Sequence, residues 1–137
     1  MEHRAIVIGA TSGIGRGLAK LLAAKGYLVG VTGRRTELLE SLRASNPTAF
    51  IAERMDIVRV EEARIVFNRL VEKMGGVDLV VVNSGIGTRN EELDWTIDKQ
   101  IIEVNILGCT AIANAAMHVF LKQRHGHLVG ISSIAAL

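Results

Sequence analysis

The aliphatic run Ala5-Ile6-Val7-Ile8 passes directly into Gly9-Ala10-Thr11-Ser12-Gly13-Ile14-Gly15, and from there into a segment with helical spacing. A buried strand, a glycine turn and a helix start leave little freedom in what the chain can become. In the helical segment, Ile14, Leu18, Leu21 and Leu22 recur at three- and four-residue intervals, with Arg16, Lys20 and Lys25 on other faces. The free N–H groups and positive dipole end of such a helix point at whatever lies above the turn, which makes it an anion site suited to a pyrophosphate. Gly9 permits the tight turn, Gly13 lets the backbone approach a ligand, and Gly15 lets helix and strand pack closely. A nucleoside triphosphate loop is excluded, because Gly13 is followed by Ile14 rather than by Lys-Ser/Thr.

Aliphatic runs and helical segments continue to alternate. Ala5–Ile8, Tyr27–Thr32, Ala49–Ala52, Val77–Val82 and His127–Ser132 read as strands, and Ile14–Lys25, Glu37–Ala44, Val60–Met74 and about Thr96–Gln123 as helices. Gly26 and Gly75-Gly76 supply helix C-terminal caps, and Pro47 falls between the second helix and third strand. The fold class implied is α/β, a Rossmann-type doubly wound parallel sheet of order 3-2-1-4-5. Residues are 49% hydrophobic but only 4% aromatic, which suits strands buried on both faces. The 137 residues make one dinucleotide-binding domain, residues 1–137. A complete sheet of this type needs a further helix and strand after Ser133, so the chain is expected to be truncated at its C-terminal side.

Sixteen basic and fourteen acidic residues, with no block of like charge, give no nucleic-acid or membrane footprint. The lone Cys109 excludes an internal disulfide. No run approaches the ~20 apolar residues of a membrane span, and no leader pattern opens the chain, so a cytoplasmic protein is expected. His125 and His127 have metal-pair spacing but no accompanying cluster, so no metal site is expected.

The spacing Gly-x-x-x-Gly-x-Gly resembles that of the short-chain dehydrogenase/reductase family, classical type. Further stretches agree in order along the whole chain: Asp56-Ile57, Asn83-Ser84-Gly85 in place of the family's Asn-Ala-Gly, Val104-Asn105-Ile106-Leu107-Gly108, and the fifth strand ending in Ser132-Ser133. Departures are Ile8 where the family often has Thr, Ser84 where it has Ala, and Gly130 where it commonly has Asn. The resemblance implies cofactor contacts from Gly9, Thr11, Ser12, Gly13, Ile14, Gly15, Asp56, Ile57, Asn83 and Gly85. Asp56 would meet the adenine amino group; as a residue type it also suits the turn or N-cap before the third helix.

A carboxylate ending the second strand would bind ribose hydroxyls and favour NAD. That position falls at about Gly33 and is followed by Arg34-Arg35. Arginine suits a 2′-phosphate, so NADP is expected over NAD, with Arg34 the main contact, Arg35 beside it and Ser12 as helper.

Carbonyl reduction needs a hydride donor, a polarising group and a proton donor. By resemblance, Ser133 is the polarising serine, with Ser132 as its neighbour, and Asn105 belongs to the proton relay. Asn105 would equally serve by satisfying a backbone group at a helix kink. The family's Tyr-x-x-x-Lys pair would fall beyond Leu137, and the one tyrosine present is Tyr27. The reaction implied is NADP(H)-dependent interconversion of a carbonyl and an alcohol on a small-molecule substrate, although this chain by itself is expected not to turn over. The alternative is a non-catalytic nucleotide-binding or structural module on the same fold. Cys109 reads as a small core residue, Trp95 as a packing anchor, and Glu91, Glu92, Asp94 and Asp98 as a solvated helix start. The long helix carries Ile101, Ile102, Ile106, Ile112, Ala115, Ala116 and Val119, more apolar surface than one sheet face needs, so a homo-oligomer is expected.

Overall fold

The computed structural model describes residues 3–133. Five parallel strands, β1 (Arg4–Ile8), β2 (Leu28–Gly33), β3 (Phe50–Arg54), β4 (Leu79–Val82) and β5 (His127–Gly130), form one sheet of order β3-β2-β1-β4-β5. Helices α1 (Gly13–Ala24), α2 (Thr36–Ser45) and α3 (Val60–Met74) connect the first four strands. A last, long helix consists of α4 (Trp95–Ile102), a π segment (Glu103–Gly108) and α5 (Cys109–Gln123).

The continuous aliphatic character of β1 has a direct cause. Ala5 and Val7 face the layer containing Ala19, Leu22, Leu39 and Leu42 from α1 and α2. Ile6 and Ile8 face the opposite layer, with Phe67 and Leu70 from α3 and Ile112 and Ala116 from α5. Alternating side chains thus enter two different cores, and neither can be polar. Register runs Ile8↔Thr32 on one side of β1 and Ile8↔Val82 on the other, so β1 and β4 end at one level and β2 runs one residue further.

Several local expectations are corrected. The buried face of α1 is Gly15, Ala19 and Leu22, whereas Ile14 and Leu21 stand 69% and 53% exposed. Small residues lie against the strand because the helix approaches it closely. Trp95 is 65% exposed and anchors nothing in the core. Strand β5 ends at Gly130, level with Val82 of β4, which leaves Ser132 and Ser133 beyond the ladder. The long helix is not uniformly α. At Gly108, the last residue of the π segment, a Cβ would come within 2.7 Å of the Ile57 carbonyl oxygen. Close contact with the loop after β3 is made there, and a π bulge accommodates such a local insertion. By length and composition this helix could cross a membrane. Its Ile112, Ala115, Ala116 and Phe120 are instead buried in the sheet-facing core. Ile102 and Ile106, by contrast, are 43% and 60% exposed.

Candidate functional site: a polar cleft at the carboxyl edge of the sheet

The loop after β1 is built by its glycines and tied down by backbone bonds. Gly9 and Gly13 have φ of +80° and +58°, the left-handed region that favours glycine. The N–H groups of Gly9 and Ala10 both donate to the Thr32 carbonyl, at 3.1 and 2.8 Å, so the loop is pinned to the end of β2. Asn83 Nδ2 donates to the Gly9 carbonyl at 2.9 Å, which pins it to the end of β4 as well. A Cβ at Gly15 would lie 2.1 Å from the Gly9 oxygen and 2.4 Å from Asn83 Nδ2. The glycine is therefore required for helix α1 to begin where it does.

Ser12 is the N-cap of α1, but its side chain makes no capping bond. The opening turn, Gly13-Ile14-Gly15-Arg16, carries no acid, in contrast to α2, α3 and α4. The first N–H groups of a helix have no intrahelical carbonyl partner, so this end presents donors and positive potential to the space above it.

That space is a cleft of about 280 Å³ at the carboxyl ends of β1 to β4. Its lining includes Gly9, Thr11, Ser12, Arg34, Arg35, Asp56, Ile57, Asn83 and Gly85. Most residues expected to bind the cofactor are thus brought to one place, at the point between β1 and β4 where the winding direction reverses. On the β2 side, one Arg35 nitrogen, Nη2, donates to Thr11 Oγ1 and to Ser12 Oγ, each at 2.8 Å. Arg34 is exposed at the cleft edge. Asp56 is half-buried, and its Oδ1 accepts from the Val58 N–H at 3.3 Å. It sits in the turn before α3; Arg59, not Asp56, is that helix's N-cap.

A second, larger cleft of about 1020 Å³ adjoins the first, and Asn83, Ser84, Gly85 and Ile86 line both. Ile14, Asn105, Cys109, Ser132 and Ser133 belong to this second space. Asn105 clamps Ile86: its Oδ1 accepts from the Ile86 N–H at 2.8 Å and its Nδ2 donates to the Ile86 carbonyl at 2.7 Å. The Cys109 thiol donates to the Ser84 carbonyl at 3.1 Å, and burial pushes its pKa up, so it is held as a thiol.

At the start of α4, Asp94 Oδ1 accepts from the Thr96 N–H at 2.8 Å. Hydrogen bonds from the Thr96 side chain and backbone hold its carboxyl below the usual range. Among the described residues, no three His, Cys, Asp or Glu side chains cluster as a metal site. The sequence did not mark Thr32 or Ile86 as site residues, and it showed Ser84 only as a departure from the family's Ala. Thr32 and Ile86 act through backbone atoms, which leave no side-chain signature. The Thr32 hydroxyl is buried with no hydrogen-bond partner.

The chain matches the family model for short chain dehydrogenase over residues 3–137. An uncharacterised oxidoreductase of Myxococcus xanthus is 37% identical over 141 residues, covering 98% of this chain and 56% of that protein. The crystal structure of a short-chain dehydrogenase from Streptomyces avermitilis superposes with a TM-score of 0.88 at 30% identity, covering 97% of this chain and 50% of that one. The structure of ElxO with NADP bound gives a TM-score of 0.89 at 26% identity, covering 98% and 56%. This chain therefore spans about half the length of the relatives it matches.

Proposed function

The chain belongs to the short-chain dehydrogenase family, and from that premise we propose that it binds NADP(H) in the cleft above Gly9, Gly13 and Gly15. In this reading it forms the cofactor-binding part of an oxidoreductase that interconverts a carbonyl and an alcohol on a small-molecule substrate. The observation that carries the choice of cofactor is the end of β2. Gly33 leaves no carboxylate there, and Arg34 and Arg35 flank the loop at Thr11 and Ser12.

The residues present fit such a dinucleotide. The N-terminus of α1 supplies donors to a pyrophosphate, with no acid in its own first turn to repel it. Arg34 is the free cation for a 2′-phosphate, and Arg35 holds the loop hydroxyls in place. Asp56, with one oxygen tied to the Val58 N–H, presents its other oxygen to an adenine amino group. Ile57 and Gly85 shape the walls, and Asn83 holds the Gly9 carbonyl. When bound, the cofactor supplies the hydride.

Ser133, in the adjoining cleft, polarises a substrate carbonyl by donating its hydroxyl hydrogen. Asn105 keeps the Ile86 backbone in position between the two clefts. Tyr27, the one tyrosine of the sequence, precedes β2 at the opposite, amino edge of the sheet and lies against His3 with ring centroids 5.3 Å apart. In this reading Tyr27 takes no part in proton delivery at this site. The relatives' oxidoreductase names favour a catalytic whole over a purely structural module. A cytoplasmic homo-oligomer that uses the exposed Ile102 and Ile106 completes the reading. Calorimetric titration with NADP+ and NAD+ tests it: binding of neither would refute it.

A further inference from the structure

We propose that Thr11 is a specificity-determining residue, whose methyl group, held in place by Arg35, keeps the end of β2 free of any side chain and so commits the cleft to a 2′-phosphorylated dinucleotide. This rests on the nicotinamide reading above and adds a cause to it.

Gly33 is not glycine for backbone reasons. It lies in the ladder opposite Arg54 and is not one of the positive-φ glycines, so its backbone would accept any residue. The constraint is steric and comes from a single atom. A Cβ at position 33 would lie 2.4 Å from Thr11 Cγ2, while Thr11 Cβ and Oγ1 would be at 3.5 and 3.7 Å, ordinary contact distances. Without that methyl the position is open.

Relieving the clash by rotation about the Thr11 χ1 would cost a hydrogen bond. Thr11 Oγ1 accepts from Arg35 Nη2 at 2.8 Å, and the same nitrogen is tied to Ser12 Oγ at 2.8 Å. Thr11 is also 9% exposed, packed under the loop that Gly9 and Ala10 bind to β2. Rotation would give up that charge-assisted bond. The three residues form one device. Arg35 sets the Thr11 rotamer, Thr11 empties position 33, and the carboxylate that would accept the ribose hydroxyls of an unphosphorylated cofactor is kept out. Arg34 is left without an acidic neighbour at that point.

The test is a double-mutant cycle on the chain with Thr11→Ser and Gly33→Asp. Serine keeps the hydroxyl for Arg35 and removes only the methyl. Thermal unfolding without ligand is followed by calorimetric titration with NADP+ and NAD+. Gly33→Asp alone should melt well below wild type, and Thr11→Ser should raise the melting temperature of Gly33→Asp while lowering or leaving that of wild type. The double variant should shift the NAD+ to NADP+ affinity ratio by at least about tenfold toward NAD+, about 1.4 kcal/mol. Thr11→Ser acting equally in both backgrounds overturns the steric role. A Gly33→Asp single variant that already has the double variant's preference overturns the selection role. Failure of wild type to bind either dinucleotide brings down the nicotinamide reading, and the selection role with it. Because the unfolding cycle needs no cofactor, that failure is seen separately from a failure of the Thr11–Gly33 contact.

Discussion

Asn105 grips the backbone of Ile86 with both ends of its amide, accepting from the N–H at 2.8 Å and donating to the carbonyl at 2.7 Å. The pair joins the π segment to the loop after β4 and fixes the wall shared by the two clefts. Asn105→Leu keeps the approximate volume and removes both bonds. Because Asn105 is exposed, the expected loss is about 1 kcal/mol in urea unfolding. Unchanged stability would mean that water replaces the clamp without cost.

Gly15 and Gly17 lie one half-turn apart on α1 and should respond oppositely to the same change. A Cβ at Gly15 meets the Gly9 carbonyl oxygen at 2.1 Å, a backbone atom that cannot move away cheaply. Gly15→Ala is expected to cost about 3 kcal/mol. A Cβ at Gly17 meets nothing within 4 Å, so Gly17→Ala should stabilise by about 0.5–1 kcal/mol through helix propensity. Paired denaturant curves decide the matter, and equal responses at the two positions would contradict the close approach at Gly15.

Glu53 on β3 gives the fold an acid-sensitive contact. Burial alone would raise its pKa, but hydrogen bonds from Lys73 and from Arg69 at 2.8 Å outweigh burial and hold it below the usual carboxylate value. A group depressed in the folded state stabilises above its unfolded pKa, about 4.3 for glutamate, and loses that contribution as pH falls through its folded pKa. Wild type should therefore be more stable than Glu53→Gln near about pH 7, with the gap closing on acidification below the unfolded value. Thermal melts across that range check this. A gap that widens in acid would mean the sign is wrong.

The two arginines after β2 should separate by which cofactor they affect. Arg34 is exposed at the cleft edge, so Arg34→Ala is expected to weaken NADP+ by at least about tenfold and leave NAD+ nearly unchanged. Arg35 holds the Thr11 and Ser12 hydroxyls, so Arg35→Ala should weaken both dinucleotides. Calorimetric titration distinguishes the two patterns, and an exchange of roles would refute the assignment.

What could be read from the residues was whatever depends on local pattern. The strand order follows from alternating aliphatic runs and helical segments, and the loop position follows from Gly9, Gly13 and Gly15. Strand β5 ran short of expectation because its end is set by its partner, Val82 of β4, and not by its own composition. Ile14 and Leu21 were expected on the buried face of α1, but the close approach demanded at Gly15 turns the small Ala19 inward instead. Trp95 illustrates the same limit, since hydrophobicity without a facing partner does not specify burial. The Arg35–Thr11–Gly33 relationship joins the loop after β1 to the end of β2 through one methyl group, and periodicity carries no trace of it.

Calorimetric titration of the unmodified chain with NADP+ and NAD+, side by side, decides whether the cleft above Gly9, Gly13 and Gly15 selects a 2′-phosphorylated dinucleotide. Saturable binding of NADP+ is expected, with NAD+ weaker by at least about tenfold, or about 1.4 kcal/mol. Binding of neither, or tighter binding of NAD+, would contradict it.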